Sequence, residues 1–281
     1  MKLTQIYVLG TLVVVFAAAI GLGLLVHRVH IRRPGRADAQ EHLGLDGMAG
    51  AVGFIGGSAA FLLGVLMLAS LDHYNGTKAV VGEEALAYSA AFEASAGLPE
   101  ADKPQIQHDL VCLMRSITIN SWAAAAEGRL SGSENTHAWR RRAFSHADAV
   151  QPTTKIQEES LSSLQAELIN ASKSGQQRLL AAESDLPGAL WILVFVSIFV
   201  LTAILTALLR AHPSRTLSIA ALSAVFVLSV AMLSTLTTFD EPFSKGDGVY
   251  ISPRALNAVM VRLEGTYPEA DWGPCEMLAD S

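Results

Sequence analysis

Residues 48–71 read MAGAVGFIGGSAAFLLGVLMLASL, an apolar run without a single charge. About twenty such residues, each rising about 1.5 Å, cross the hydrocarbon of a bilayer, so the run predicts a membrane-spanning helix. Gly50, Gly53, Gly57, Ala60 and Gly64 recur at spacings of three and four and fall on one helical face. A face stripped of side chains lets backbones approach, which predicts a helix-packing seam. Phe54, Phe61, Leu62 and Leu66 are read as the opposite side.

Three further runs meet the same length: Ile6 to Val26, Leu190 to Leu209, and Leu217 to Thr238. The first follows only Lys2 and has no convincing cleavage site before His27-Arg28, so it reads as an uncleaved anchor. The chain as a whole is 51% hydrophobic and 16% charged, too apolar for an ordinary soluble domain. Its net charge of −6 argues against a nucleic-acid partner.

Between the spans the pattern is helical throughout. Asp46, with Gly44 and Gly47, is expected to break the chain before the second span. Val81, Ala85, Tyr88 and Phe92 form one stripe on a helix continuing from that span and ending at Gly97-Leu98-Pro99. Ile106, Leu110, Leu113, Ile117 and Ala124 form a second stripe that ends near Gly128. A basic helix around Trp139-Arg140-Arg141-Arg142 and Phe144 follows. Thr154 and Gln157 then make a capping-box signature for a helix with its stripe at Leu161, Leu164, Leu168, Leu179 and Ala182. One-sided stripes must be buried on one another, which predicts a helical bundle. Trp191 stands where an interfacial aromatic is expected, and a short basic turn at Arg210–Arg215 forces the last two spans into a hairpin. Past Asp240, Ser252 as N-cap and Pro253 as first helical residue open a short helix with apolar face Leu256, Val259, Met260 and Leu263.

The fold read from these patterns is an all-α integral membrane protein with four transmembrane helices and a helical-bundle domain between the second and third. Its parts are residues 1–71 (two spans and a basic connection), 72–187 (helical domain), 188–238 (transmembrane hairpin) and 239–281 (tail).

Chemical motifs are sparse. There is no phosphate-binding glycine loop, zinc signature or nucleophile elbow, so catalytic residues, cofactors and metal ligands are all expected to be none, and an enzyme is not expected. His27 and His30 lack a third ligand and read as part of a lipid-facing basic patch. Glu83-Glu84 and Glu158-Glu159 are expected as solvated charges. The hydroxyls of the fourth span, among them Ser229 and Thr238, are expected to bond to their own helix. No span holds an ionisable residue, which argues against a proton-coupled pump but leaves a hydrophobically gated pore open. Cys112 and Cys275 make no metal motif and no disulfide framework, and either reads equally well as a small hydrophobe.

Four sets of residues carry a family resemblance: Gly97-Leu98-Pro99-Glu100, Ser121-Trp122 with Glu127-Gly128-Arg129, Arg178-Leu179-Leu180-Ala181-Ala182 with Leu186-Pro187, and Asp240-Glu241-Pro242-Phe243 with Ile251-Ser252-Pro253. In that order they resemble the bestrophin-like domain family, bacterial membrane proteins remotely related to bestrophin anion channels. Asn120-Ser121 departs from the acidic pair usual there, and Glu41-His42 with Asp46 only partly keeps the polar entry to the second span. The resemblance implies a homo-oligomer in the bacterial inner membrane, anions as passengers, and a pore neck at Phe54 and Phe61. The alternative is a non-conducting scaffold or sensor whose helical domain binds a partner.

Four spans put the N-terminus, the 72–187 domain and the tail on one side. The basic loops at Arg28–Arg36 and Arg210–Arg215 place that side outside the cytoplasm, whereas the bestrophin resemblance places it inside. We follow the charge rule, under which Cys112 and Cys275 share an oxidising side where a disulfide can form.

Overall fold

The computed structural model describes residues 3–31, 44–129, 131–182, 187–209, 215–240, 242–243 and 250–277. The basic loops at 32–36 and 210–214, together with Glu41-His42, Leu186 and Glu241, lie outside the described residues. All regular structure among the described residues is helical: α1 Leu3–Ile31, α2 Gly44–Ser95, α3 Lys103–Ser116, a π-helical turn Ile117–Ser121, α4 Trp122–Ala126, α5 Glu134–Ala149, α6 Lys155–Leu180, α7 Gly188–Leu209, α8 Arg215–Asp240 and α9 Arg254–Thr266. Four of these, α1, α2, α7 and α8, are long and apolar enough to cross a membrane. The chain divides into two compact units, Met1–Asp72 with Asp185–Asp240, and His73–Ser184 with Glu241–Ser281.

At 52 residues α2 is about 78 Å long, well over the roughly 30 Å of hydrocarbon, so one uninterrupted helix supplies both a span and a soluble stripe. Gly44, Asp46 and Gly47 do not break the chain, as expected from sequence, but lie in the first turn of this helix. Glycine in a helix costs only about 1 kcal/mol, and without a proline nothing stops the hydrogen-bond ladder from extending backwards.

In the membrane unit the core is small: Leu12, Phe16, Leu66, Val194, Ile198, Leu233 and Leu236. At most 28% of any apolar window is buried, so the rest of each span needs an apolar medium. Ser229 Oγ bonds to the Val225 carbonyl and Thr238 Oγ1 to that of Ser234 within their own helix, each at 2.8 Å, as expected, whereas Ser218 Oγ donates across to the Leu209 carbonyl of α7 at 3.1 Å.

The helical unit buries its stripes in one continuous core, with Tyr88, Phe92, Leu110, Leu113, Ile117, Trp139, Leu164 and Leu168 all within it. The capping box forms: Gln157 N–H donates to Thr154 Oγ1 at 3.2 Å and Thr154 N–H to Gln157 Oε1 at 3.3 Å. The tail packs in the same unit through Leu256 and Leu263. Its helix begins one residue later than expected. Pro253 takes the cap position with no side-chain cap bond, while Ile251 N–H is held by the Pro242 carbonyl at 2.8 Å.

The sequence reading of Glu84 as a solvated charge is wrong. Glu83 is exposed, but Glu84 is fully buried and paired with an equally buried Arg178, Nε to Oε2 at 2.7 Å and Nη2 to Oε1 at 3.4 Å. Arg178 Nη2 also donates to Ser121 Oγ at 3.1 Å, and the guanidinium carbon lies 4.5 Å from the Trp122 ring centroid. Trp122 Nε1 in turn donates to the Ile251 carbonyl at 2.9 Å, and its ring meets Phe243 edge-on at 5.7 Å. The π-helical turn sets this geometry, because its extra residue rotates Ser121 and Trp122 onto the face that Arg178 reaches. Gly175 is required beside it: a Cβ there would stand 2.8 Å from Glu84 Oε1.

Two expected outcomes follow from this packing. Arg178→Met strands a buried carboxylate and should cost about 3–5 kcal/mol in chemical denaturation, whereas adding Glu84→Leu should recover part of that loss. Strictly additive costs would show that the pair is not one unit. Thr154→Ala removes one cap bond and should cost about 1 kcal/mol in the same assay, with no change in helical content at 20 °C or so.

Candidate functional site

The residues singled out on α2 share one face, and that face is open. Phe54 and Phe61 are each 76% exposed. They are not opposite the glycines: Gly57 lies three residues beyond Phe54 and four before Phe61, so at 3.6 residues per turn all three point the same way. The inward side is instead Ala59, Leu66 and Ser70. Gly50, Gly53, Gly57, Ala60 and Gly64 are all exposed, and a Cβ built on any of the four glycines meets nothing within 4 Å. The predicted seam therefore packs against no other helix among the described residues of this chain. Phe side chains alternate with bare backbone along it, a relief of knobs and holes. Beside it runs an apolar groove of about 490 Å³ between Ala60, Phe61, Gly64 and Leu68 on one wall and Met232 and Leu236 on the other.

A close-packed seam does exist within the membrane unit, on a face of α1 that the sequence reading did not single out. A Cβ on Gly23 of α1 would stand 2.6 Å from the Ala203 carbonyl oxygen and 2.7 Å from Thr206 Cβ of α7. Ala19, one turn earlier, is fully buried, as is Thr202. The signal was legible as Ala19-x-x-x-Gly23, a small residue four places before another.

The helical unit holds the second concentration of chemistry. On α3, His108, Cys112 and Arg115 recur at four and three, one helical face. Against that face the tail lays Asp271, Trp272, Gly273 and Cys275. Cys112 and Cys275, which belong to no pairing motif, form a disulfide with Cα atoms 5.4 Å apart across 163 residues of chain. His108 Nε2 lies 3.5 Å from Cys112 Sγ, and its Nδ1 is 3.2 Å from Asp271 Oδ2, at ion-pair distance but off the line of a hydrogen bond. Arg115 Nη2 donates to the Trp272 carbonyl at 2.9 Å, and Nη1 lies 3.7 Å from Cys275 Sγ. Trp272 stacks on Phe92 with centroids 5.6 Å apart. Asp271 Oδ1 accepts from Gly273 N–H at 2.8 Å, which turns the chain toward Cys275.

Next to His108 on α3, the fully buried Asp109 is ion-paired with Arg142 at 3.1 Å and accepts from Gln105 at 3.3 Å and from the His146 ring. Arg142 lies over the Trp139 ring at 5.1 Å. This cluster ties α3 to the basic helix α5, and its charges are satisfied within the fold. Among the described residues no three His, Cys, Asp or Glu side chains converge as a metal-binding set.

No curated protein matches the chain, and no solved structure matches it either. A family model described as the bestrophin-like domain matches residues 9–256. That segment runs from α1, through both units, to the first turn of α9, and so takes in the open face of α2, the Glu84–Arg178 pair and the Trp122 lock. With nearly the whole fold inside the match, the chain belongs to the bestrophin-like domain family.

Proposed function

We propose that this bestrophin-like membrane protein is a homo-oligomer of a bacterial cell membrane that passes anions along the open face of α2, and that it is not an enzyme. The observation that carries the reading is that face: Phe54 and Phe61 stand out at 76% exposure among glycines that touch nothing. A helix packed only within its own chain gains nothing from bare backbone on its outer side, whereas backbones of neighbouring copies can approach there. The spans carry no ionisable group, so the path would be controlled by an apolar constriction that dewets, with Phe54 and Phe61 as its neck. The scaffold alternative keeps the same assembly without conduction.

The helical unit is proposed to lie outside the cytoplasm. The basic loops at Arg28–Arg36 and Arg210–Arg215 support this, and so does the Cys112–Cys275 disulfide, since such bonds persist in oxidising compartments. A fluorescent protein fused after Ser281 should be dark and an alkaline phosphatase fused there active. Bright fluorescence from the fusion would reverse the assignment.

The same face separates assembly from conduction by mutation. Because a Cβ at Gly57 meets nothing within 4 Å among the described residues, Gly57→Leu should leave the protomer folded while weakening assembly by about 1–3 kcal/mol, read as a smaller mass in light scattering. Phe61→Ala should assemble normally and raise chloride efflux from liposomes. A normally assembled Phe61→Ala protein with parental efflux would favour the scaffold.

A further inference from the structure

We propose that the Cys112–Cys275 disulfide is a thiol-exchange site, open to a dithiol reductant at Cys275 and built so that Cys112 departs as a stabilised thiolate. The proposal does not depend on the channel reading.

Three features of the site carry it. Cys112 is fully buried while Cys275 is only half-buried, next to the exposed Glu276 and Met277, so an incoming sulfur reaches Cys275. On the far side of the bond, His108 Nε2 lies 3.5 Å from Cys112 Sγ, where an imidazole N–H donates to a thiolate. Asp271 Oδ2 stands 3.2 Å from the other ring nitrogen, at ion-pair distance, and so places a negative charge on the side of the imidazole away from the sulfur. The sulfur that leaves second is also served, because the Arg115 guanidinium is 3.7 Å from Cys275 Sγ. Cationic and donor neighbours lower the cost of a thiolate, and a better leaving thiolate speeds exchange. A disulfide serving only as a staple needs neither neighbour.

The exchange balances as follows. One thiolate of the dithiol attacks Cys275 Sγ, the Cys112–Cys275 bond breaks, and its electron pair leaves on Cys112 Sγ as a thiolate that accepts a hydrogen bond from His108 Nε2–H and is then protonated from solvent. The second thiol of the reductant, losing its proton to water, then attacks the mixed disulfide and expels the Cys275 thiolate beside Arg115, which is protonated from solvent. The reductant ends as its own disulfide, two electrons having passed to the two cysteines. Reduction leaves the tail held by non-covalent contacts, among them Arg115, the Trp272–Phe92 stack and Tyr267 against Phe92, so the site couples the thiol state of its surroundings to the anchoring of residues 267–277.

The test uses the full chain in detergent. Brief treatment with glutathione followed by an iodoacetamide quench and peptide mass mapping should place glutathione on Cys275 and the carbamidomethyl group on Cys112. The reverse labelling, or no adduct until the protein unfolds, would overturn the proposal. His108→Gln should slow reduction by dithiothreitol about tenfold at an unchanged melting temperature, since the leaving thiolate loses its donor. Should that variant not fold, Asp271→Asn, whose carboxylate is 58% exposed, replaces it, and its rate should also fall. Folded variants that are reduced at the parental rate would show the bond to be a staple only.

Discussion

The helical unit depends on one buried charge pair. Glu84 and Arg178 are 94 residues apart in sequence, and each is fully removed from water, so neither is tolerable without the other. The pair fixes the register of α2 against α6, because a slip of one turn would strand both charges. It also recruits what surrounds it. Arg178 spends a second nitrogen on Ser121 and its flat face on Trp122, and Trp122 passes the constraint to the Pro242–Ile251 segment through the Ile251 carbonyl. At position 121 serine accepts from the guanidinium, while Glu84 neutralises it. The remaining Nη1 has no hydrogen-bond acceptor among the described residues, which leaves the aromatic face as its compensation.

How much of this was legible from sequence depends on the kind of signal. Apolar length gave the four spans, and 3.6-residue stripes gave the bundle core, since Ile106, Leu110, Leu113 and Ile117 are all buried as their spacing implied. The capping box was legible because both partners lie within four residues. Glu84 was not, because periodicity cannot separate a glutamate on the solvated face from one buried opposite an arginine far along the chain. Its neighbour Glu83 is exposed, and nothing local distinguishes the two. The π-helical turn was also silent, as Ile117 to Ser121 carries an ordinary helical composition and the extra residue is imposed by what Ser121 and Trp122 must reach. The disulfide was legible only as a possibility that hung on the side of the membrane, because two cysteines 163 residues apart make no spacing motif. A reading of α3 by face, with His108, Cys112 and Arg115 together, would have marked that surface as chemically unusual.

The two units are held by different physics. In water, burying apolar stripes supplies the driving force, and the polar links, Glu84–Arg178, Asp109–Arg142 and the Trp122 lock, select one arrangement among many that would bury similar area. Within a bilayer the lipid is as apolar as leucine, so burial selects nothing and helices associate by close approach. That is why Gly23 sits under Ala203 and Thr206, with backbone and Cβ closer than any side chain would permit.

The same reasoning bears on α2. Each glycine in a helix costs stability relative to alanine, and at Gly23 that cost is offset by the dispersion contacts of two close helices. At Gly50, Gly53, Gly57 and Gly64 no such contact exists among the described residues, yet the cost is incurred four times along one stripe, with two large aromatics standing between the bare positions. Lipid chains would pack as well against alanine or leucine. In the homo-oligomer proposed above, bare backbone beside Phe54 and Phe61 gains such contacts from a neighbouring copy.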